Sequence, residues 1–326
     1  MTDDKMPAWM PALASALKRQ WYLAQGFAML PASCAVRGLA TCTGLAGYSV
    51  PGNGGMQKAV FKRWLTDLSD QTTHLLNEQN ISQVHAWRGA REAFAAGMVH
   101  AVWARQHVDK LLKQVSCNNV QVSSVEGLIL TIHNGLQHSL CAWLAQNKKQ
   151  KVWMVAQPPE SSMWWTLLGP EIEEQHAWYE RAMSGGGFLF LRTGGMREQV
   201  AQCWARGELV VAMLDVHSPA DRHAMPANLL GRSYMAATGL LQAALAQKIP
   251  VWYATLVWHP CKQRLETVLL PLQGATVSTL LQAYLMALEV TVRQWPWAWW
   301  GWQWYSDWPD ANTTEFVTCQ DRPSVE

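Results

Sequence analysis

The sequence lacks the signatures of several large protein classes. Its seven cysteines are odd in number and form no C-x-x-C pair, which argues against a zinc site or a disulfide framework and is typical of a reducing compartment. Only 15% of its 326 residues are charged, 26 basic against 24 acidic. Neither a disordered chain nor a general nucleic-acid binder is expected from that balance. No run of about 18 uncharged apolar residues occurs, and the acidic start, Met1 to Lys5, is unlike a secretory signal. We therefore expect a cytoplasmic protein without a spanning helix.

Acidic residues are also missing locally. The stretch from Lys5 to Thr66 contains no Asp or Glu but mixes basic residues with aromatic ones. That mixture fits attachment to an anionic membrane face, and it fits equally a helical subdomain whose basic side faces solvent. We predict a helical, basic N-terminal segment over 1–70, an α/β domain over 71–310 and a mobile tail over 311–326.

Strand and helix patterns alternate through the second segment. Short apolar runs predict strands, and apolar residues at helical spacing predict helices. The predicted strands span 127–132, 151–156, 188–191, 208–214, 251–258 and 265–270, and the predicted helices span 136–147, 195–206, 236–247 and 276–294. Such alternation indicates an α/β fold with a mainly parallel central sheet flanked by helices. Ligands bind such sheets at the carboxyl ends of the strands, where His133 and Asp215 are expected.

The run from Leu130 to His138 is the strongest candidate for chemistry. A His that ends a buried strand before a helix is held rigidly yet faces a ligand, and its ordinary pKa near 6.5 suits proton abstraction. His133 is thus the candidate base, with His138 and Asp215 as further catalytic candidates. Asp215 also fits a turn or helix-capping residue. No metal site is expected, because the spacing of His133 and His138 does not place both on one helix face.

Five blocks in order resemble the bacterial lipid A biosynthesis (lauroyl/myristoyl) acyltransferase family, within the lysophospholipid acyltransferase-like superfamily. That family carries a strand followed by His-x4-Asp/Glu, and His133 and Gly135 stand at matching places. The other blocks are Arg206-Gly207 to Asp215, Leu229 to Arg232 with Ala237 to Leu240, Ala246 to Val251, and Arg293 to Trp299. The resemblance covers most of the chain, from about residue 20 to 305.

The resemblance implies a glycerolipid acyltransferase-like fold and an acyl transfer at the inner face of the bacterial inner membrane. The donor would be an acyl carrier protein or coenzyme A thioester, used as a co-substrate, with no permanently bound cofactor. The acceptor would be a hydroxyl or amine on a lipid or small molecule. His133 would take the proton of the acceptor, and backbone N–H groups after Gly135 would stabilise the oxyanion.

Two positions depart from the family pattern. His138 replaces the carboxylate that orients the catalytic imidazole, so Asp215 or Glu126 would have to supply the charge. Gln157 stands where relatives often have Arg, which weakens the case for a phosphorylated sugar-lipid acceptor. The remaining substrate-binding candidates are Gly135, Arg181, Arg192, Trp164 and Trp165. As lone arginines, Arg181 and Arg192 are more often solvated or paired with neighbouring glutamates.

Those departures leave other functions open. A catalytically inactive homologue that serves as a binding or assembly module is one, and a thioester hydrolase-like enzyme is another. The sequence is also rich in tryptophan, with 20 Trp against six Phe and seven Tyr. Seven of the 20 Trp lie in the stretch from Trp295 to Trp308. Their spacing predicts a helix whose one face packs on the core, while the rest covers a lipid groove, a membrane face or a protein partner.

Overall fold

The computed structural model describes residues 122–158, 180–191 and 195–301, together with 115–117, 307–309 and isolated positions elsewhere. The predicted N-terminal segment, 1–70, lies outside the described residues apart from three isolated positions. The predicted tail, 311–326, lies outside them altogether. The fold is therefore that of the predicted α/β domain.

A seven-stranded, mostly parallel sheet forms the centre of this domain. In chain order its strands are β1 (Val115–Cys117), β2 (Leu128–Thr131), β3 (Val152–Ala156), β4 (Gly187–Phe190), β5 (Leu209–Met213), β8 (Val251–His259) and β9 (Arg264–Leu272). Their order across the sheet is β1-β9-β8-β2-β5-β3-β4. Every pairing is parallel except that of β8 with β9. The prediction of an α/β fold with a mainly parallel sheet is confirmed.

Helices cover both faces of the sheet. They are α1 (Gln137–Lys148), α2 (Met196–Ala205), α3 (Gly239–Ala246) and α4 (Val277–Gln294). Helix α1 packs on one face, while α2, α3 and α4 pack on the other, so that two apolar clusters sandwich the strands. All four residues of β2 are buried, as expected for a strand covered on both faces. This burial fixes β2 rigidly at the middle of the sheet.

A second, two-stranded sheet was not predicted. Strands β6 (Ala224–Leu229) and β7 (Arg232–Ala237) pair in antiparallel register. The turn between them, Leu230-Gly231, has φ values of 53° and 84°, the positive angles of a tight hairpin. The predicted helix over 236–247 therefore begins only at Gly239. Helix-forming Ala and Met in β7 obscured the strand, because strand pairing overrides intrinsic propensity.

The tryptophan-rich segment does not form the predicted helix between Trp295 and Gly301. Helix α4 ends at Gln294, a short 3-10 turn spans Pro296–Ala298, and Trp299 is extended. Pro296 favours this break because it has no N–H to donate to a continuing helix.

Burial of the cluster is also more extensive than a single packed face predicts. Trp295, Trp299 and Trp308 are buried, and Trp297 and Trp300 are half-buried. Trp302 and Trp304 lie outside the described residues. Most of the cluster that is described thus belongs to the core rather than to a docking surface.

In the part of the chain that the structure describes, no helix combines the length and the hydropathy that crossing a bilayer requires.

Candidate functional site

His133 and Asp215 lie side by side at the carboxyl edge of the sheet. Strands β2 and β5 are parallel neighbours, and Thr131 lies opposite Met213 in their register. His133 and Asp215 each follow those residues by two positions, so parallel pairing brings them to the same height. The site is thus built from two central strands, where an α/β sheet binds its ligands.

The two side chains form a short, well-oriented pair. His133 Nδ1 lies 2.7 Å from Asp215 Oδ1. The backbone N–H of His133 also donates to Asp215 Oδ2 at 3.0 Å. An ionised carboxylate can only accept, so Nδ1 carries the proton of this bond. This hydrogen bond fixes the tautomer of the neutral ring. Nε2 is then the unprotonated nitrogen, the one that can take a proton from a substrate. The side chain of His133 is 26% exposed, and that of Asp215 is fully buried.

A tryptophan completes the environment of the carboxylate. Trp299 Nε1 donates to Asp215 Oδ2 at 2.9 Å, so three N–H groups from two residues surround Asp215. Burial alone would raise the pKa of Asp215, but the charge and hydrogen bonds of His133, with the bond from Trp299, hold that pKa below its ordinary value. Asp215 therefore stays ionised at neutral pH.

The pKa of the His133 imidazole shifts in the opposite direction, upward. Burial lowers the pKa of His133, but the charge of Asp215 and its hydrogen bond to the ring raise that pKa by more, so it lies above its ordinary value. A stronger base results, and the protonated form gains a counter-charge. This is the electrostatic arrangement that a general base needs when it must carry a proton during reaction.

Asn134 holds the turn that presents His133. Its Nδ2 donates to Thr255 Oγ1 at 2.9 Å and to the carbonyl of Leu256 at 2.7 Å, both in β8. Its Oδ1 accepts from the backbone N–H of Leu136 at 2.9 Å. Asn134 is buried, and it therefore ties the end of β2 to the neighbouring strand and to the start of α1.

Gly135 allows a tryptophan to cover this turn. Its φ is +76°, a left-handed conformation that glycine adopts most easily. A Cβ at Gly135 would lie 2.4 Å from Cζ2 of Trp300. The backbone N–H of Trp300 also donates to the carbonyl of His133 at 2.7 Å. The end of the tryptophan-rich segment is thus fastened onto the site, with one indole against the turn and another on the carboxylate.

Two buried tyrosines donate hydrogen bonds to backbone carbonyls where β2 and β5 end. Tyr284 of α4 donates to the carbonyl of Thr131, and Tyr234 of β7 donates to the carbonyl of Leu214, each at 3.0 Å. Burial, followed by the charge of Asp215, raises the pKa of both tyrosines. Both tyrosines therefore stay neutral and can donate, and they hold the backbone just before His133 and just before Asp215 in place.

The start of α1 offers hydrogen-bonding groups beside the pair. The N-cap residue, Leu136, provides no side-chain cap, so N–H groups of the first turn are available to a ligand. Gln137 Oε1 and Ser139 Oγ are buried and have no hydrogen-bond partner among the described residues. The uncapped N–H groups of such a helix start can stabilise a developing negative charge.

The catalytic candidate His138 and the alternative carboxylate Glu126 lie elsewhere. His138 lies in the first turn of α1, with its ring edge-on to Phe188 at 5.7 Å. Glu126 is exposed and precedes β2, at the end of that strand opposite His133. Of the two candidate carboxylates, Asp215 and Glu126, it is Asp215 that accepts the hydrogen bond from His133 Nδ1.

The predicted substrate-binding residues are distributed unevenly. Gln157 is exposed directly after β3 and so lies at the same sheet edge as His133. Arg181 is exposed in the helical turn before β4, at the opposite edge, and the structure does not bring it to the pair. Trp164, Trp165 and Arg192 lie outside the described residues.

Sequence reasoning missed three residues that shape the site, namely Asn134, Trp299 and Trp300. Asn134 was visible as a polar residue in the turn after β2. The tryptophans were visible only as members of a cluster, because nothing local signals a bond from Trp299 to a carboxylate 84 positions away.

Among the described residues, no group of three or more His, Cys, Asp or Glu could hold a metal ion. No family model and no curated protein matches the chain.

Proposed function

We propose that the protein is an acyltransferase that moves a fatty or related acyl group from an acyl thioester to a hydroxyl or amine. The observation that carries this proposal is the 2.7 Å contact between His133 Nδ1 and the buried Asp215. It supplies the carboxylate that the sequence pattern lacks at His138. The resemblance to the lipid A acyltransferase family supports the choice of reaction.

In the proposed reaction, the pair acts first as a general base and then as a general acid. Nε2 of His133 takes the proton from the acceptor, whose oxygen or nitrogen attacks the carbonyl carbon of the thioester. The carbonyl π pair moves to oxygen, and N–H groups at the start of α1 stabilise this oxyanion. The pair then re-forms the carbonyl, the carbon–sulfur bond breaks, and the imidazolium gives its proton to the departing thiolate. Asp215 stabilises the imidazolium between these steps.

Two expected properties accompany this proposal. The donor is carried by an acyl carrier protein or coenzyme A, and no resident cofactor is needed for the transfer. The protein works at the inner face of the bacterial inner membrane as a peripheral protein, where acceptor lipids are present. The basic residues between Lys5 and Thr66 support this location, since anionic lipids attract such segments.

The test is an acyl-transfer assay with the purified protein. A series of radiolabelled acyl-CoA thioesters of different chain lengths is supplied together with phospholipid vesicles, and the label in lipid and in free fatty acid is measured. We expect label in lipid, and we expect His133→Ala to abolish it. Asp215→Asn should lower the rate by about 10⁴-fold, as loss of the orienting Asp does in hydrolase triads.

A matched control separates Asp215 from His138. His138→Ala removes a ring in the same turn but leaves the bond between His133 and Asp215, so it should retain most of the activity. If the label appeared only in free fatty acid, the protein would be a thioester hydrolase rather than an acyltransferase. Absence of any thioester cleavage, or cleavage that persists in His133→Ala, would contradict the proposal.

A further inference from the structure

Three basic side chains converge at the start of β6, outside the pair of His133 and Asp215. Arg222 Nε donates to His223 Nε2 at 3.0 Å. Arg197, in the first turn of α2, places a terminal nitrogen 3.3 Å from the same atom. Since a guanidinium can only donate, one imidazole nitrogen accepts from two cations. We call Arg197, Arg222 and His223 the basic cluster.

The two guanidiniums of the basic cluster form no ion pair in the described part of the chain. Arg197 also donates to Gln242 Oε1 at 3.1 Å, a neutral acceptor. Asp221, next to Arg222, accepts from the backbone N–H of His223 at 2.7 Å. None of the described ion pairs includes Arg197 or Arg222. Each guanidinium has five N–H donors, so most of them remain for an anion.

Two helix starts add partial positive charge beside the basic cluster. The N-cap residue of α2 is Gly195, which has no side chain to cap with. The N-cap residue of α3 is Thr238, which gives its hydroxyl to the carbonyl of His223 instead of accepting from the helix. A Cβ on Gly239 would lie 3.5 Å from the ring of His223. Both helix starts therefore present uncapped N–H groups next to the guanidiniums.

The basic cluster lies at the same sheet edge as His133. Helix α2 follows β4, and α3 precedes β8, while both strands run parallel to β2 in the sheet. The starts of both helices thus lie at the carboxyl edge of the sheet. A ligand bound there shares an edge with the reacting pair but need not touch it.

We propose that the basic cluster binds the phosphate of the 4′-phosphopantetheine arm that carries the acyl thioester. This rests on the proposed function for its donor, and it adds the group by which the donor is recognised. Paired arginines favour phosphate because the planar fork donates two parallel hydrogen bonds to its oxygens. The long arm between phosphate and sulfur lets the phosphate bind at the basic cluster while the thioester reaches His133.

Calorimetric titration of the full chain tests this proposal. The ligands are coenzyme A, inorganic pyrophosphate and pantetheine, which has the arm without phosphate. We expect the wild type to bind the first two and to bind pantetheine at least about tenfold more weakly. The double variant Arg197→Gln/Arg222→Gln should bind coenzyme A and pyrophosphate at least about tenfold more weakly, the factor expected for one lost hydrogen bond to a charged group.

The matched control is Arg264→Gln/Arg293→Gln, which removes one exposed and one half-buried guanidinium that pair with Glu266 and Glu289. It should bind both phosphate ligands as the wild type does. Equal affinity of wild type and the Arg197/Arg222 variant for coenzyme A would overturn the proposal, as would equal loss in the control. If the double variant melts at a lower temperature than the wild type, Arg222→Gln alone is titrated, with the same criterion.

A further variant separates this proposal from acyl transfer itself. His133→Ala should bind coenzyme A as the wild type does, because the imidazole of His133 is not part of the basic cluster. If coenzyme A binding persists while the wild type transfers no acyl groups, the proposed function fails and the phosphate site stands. In an active enzyme, the Arg197/Arg222 variant should raise KM for acyl-CoA at least about tenfold and leave kcat nearly unchanged.

Discussion

At the scale of single residues, Asp215 shows how a buried charge is kept ionised. Its two oxygens accept from His133 Nδ1, from the backbone N–H of His133 and from Trp299. An uncompensated buried carboxylate would take up a proton instead. The site therefore depends on Trp299 as well as on the two residues that the sequence indicated.

Replacing Trp299 by Phe should cost more stability than the matched change at Trp308. Trp299→Phe removes the bond to Asp215, whereas Trp308 Nε1 has no partner among the described residues. Both indoles are buried, so the lost packing is similar. A hydrogen bond to a charged group contributes about 1.5–3 kcal/mol, and this should be the excess cost of Trp299→Phe in urea unfolding. Equal costs for the two variants would mean that the bond does not stabilise Asp215.

The rate of acyl transfer should depend on the protonation of His133. A general base must be neutral, so the rate should rise with pH and reach half its maximum above the ordinary value of 6.5, because the pKa of His133 is raised. In Asp215→Asn, the charge that raises this pKa is gone, so the midpoint of the residual activity should move to lower pH. Rates measured from pH 5 to 9 test this, and an unchanged midpoint in the variant would refute the coupling.

At the scale of elements, the turn between β2 and α1 links the sheet to the tryptophan-rich segment. The sequence predicted both elements from a fully apolar run and a following helical pattern. It did not predict the cover over the turn, because the close approach of Trp300 to Gly135 joins segments far apart in the chain. Gly135 therefore has two roles, since it adopts the positive φ of the turn and leaves room for the indole of Trp300.

Gly135→Ala should disturb the site more than Gly207→Ala. Both glycines have positive φ, +76° and +72°, but a Cβ at Gly207 would meet nothing within 4 Å. Each variant should lose about 1–2 kcal/mol to the left-handed conformation. Gly135→Ala should lose roughly 1–3 kcal/mol more because its methyl group overlaps the indole of Trp300. Urea unfolding measures both, and similar losses would show that the indole moves away freely.

The β6–β7 hairpin marks where pattern reading failed at this scale. Its turn residues, Leu230-Gly231, belong to a block that resembles a family motif, and its strands contain no β-branched residue. Antiparallel pairing and the bond from Tyr234 to Leu214 stabilise the hairpin. The pairing joins neighbouring strands and the hydrogen bond reaches 20 positions back along the chain, and neither contact is contained in the propensity of single residues.

At the scale of the whole molecule, the pair of His133 and Asp215 joins two central strands and stabilises the fold as well as the site. The raised pKa of His133 gives stability that is fully present below 6.5 and lost as pH rises through the folded value. The lowered pKa of Asp215 gives stability present above 3.8 and lost as pH falls through the folded value. The pair should therefore stabilise the protein most between these two ordinary values.

Chemical unfolding as a function of pH tests this window. The free energy of unfolding of the wild type should fall as pH rises from 6.5 through the pKa of His133. In Asp215→Asn, the charge that raises the pKa of His133 is gone and burial lowers that pKa, so the stability of the variant should rise with pH below 6.5 and level off above it. Above 6.5, the wild type should therefore lose stability as the pH rises, whereas the variant should not. Parallel slopes would show that the pair does not control the stability of the fold.

The alternation of strands and helices, the parallel sheet and the sheet edge where His133 and Asp215 lie can all be read from the sequence alone. They follow from local apolar periodicity and from the rule that parallel strands end together. That Asp215 rather than Glu126 contacts the imidazole is seen only in the folded chain. The same is true of the contacts of Trp299 and Trp300 at the site and of Arg197 with His223. These are contacts between residues distant in the chain, fixed by strand register and core packing rather than by local sequence.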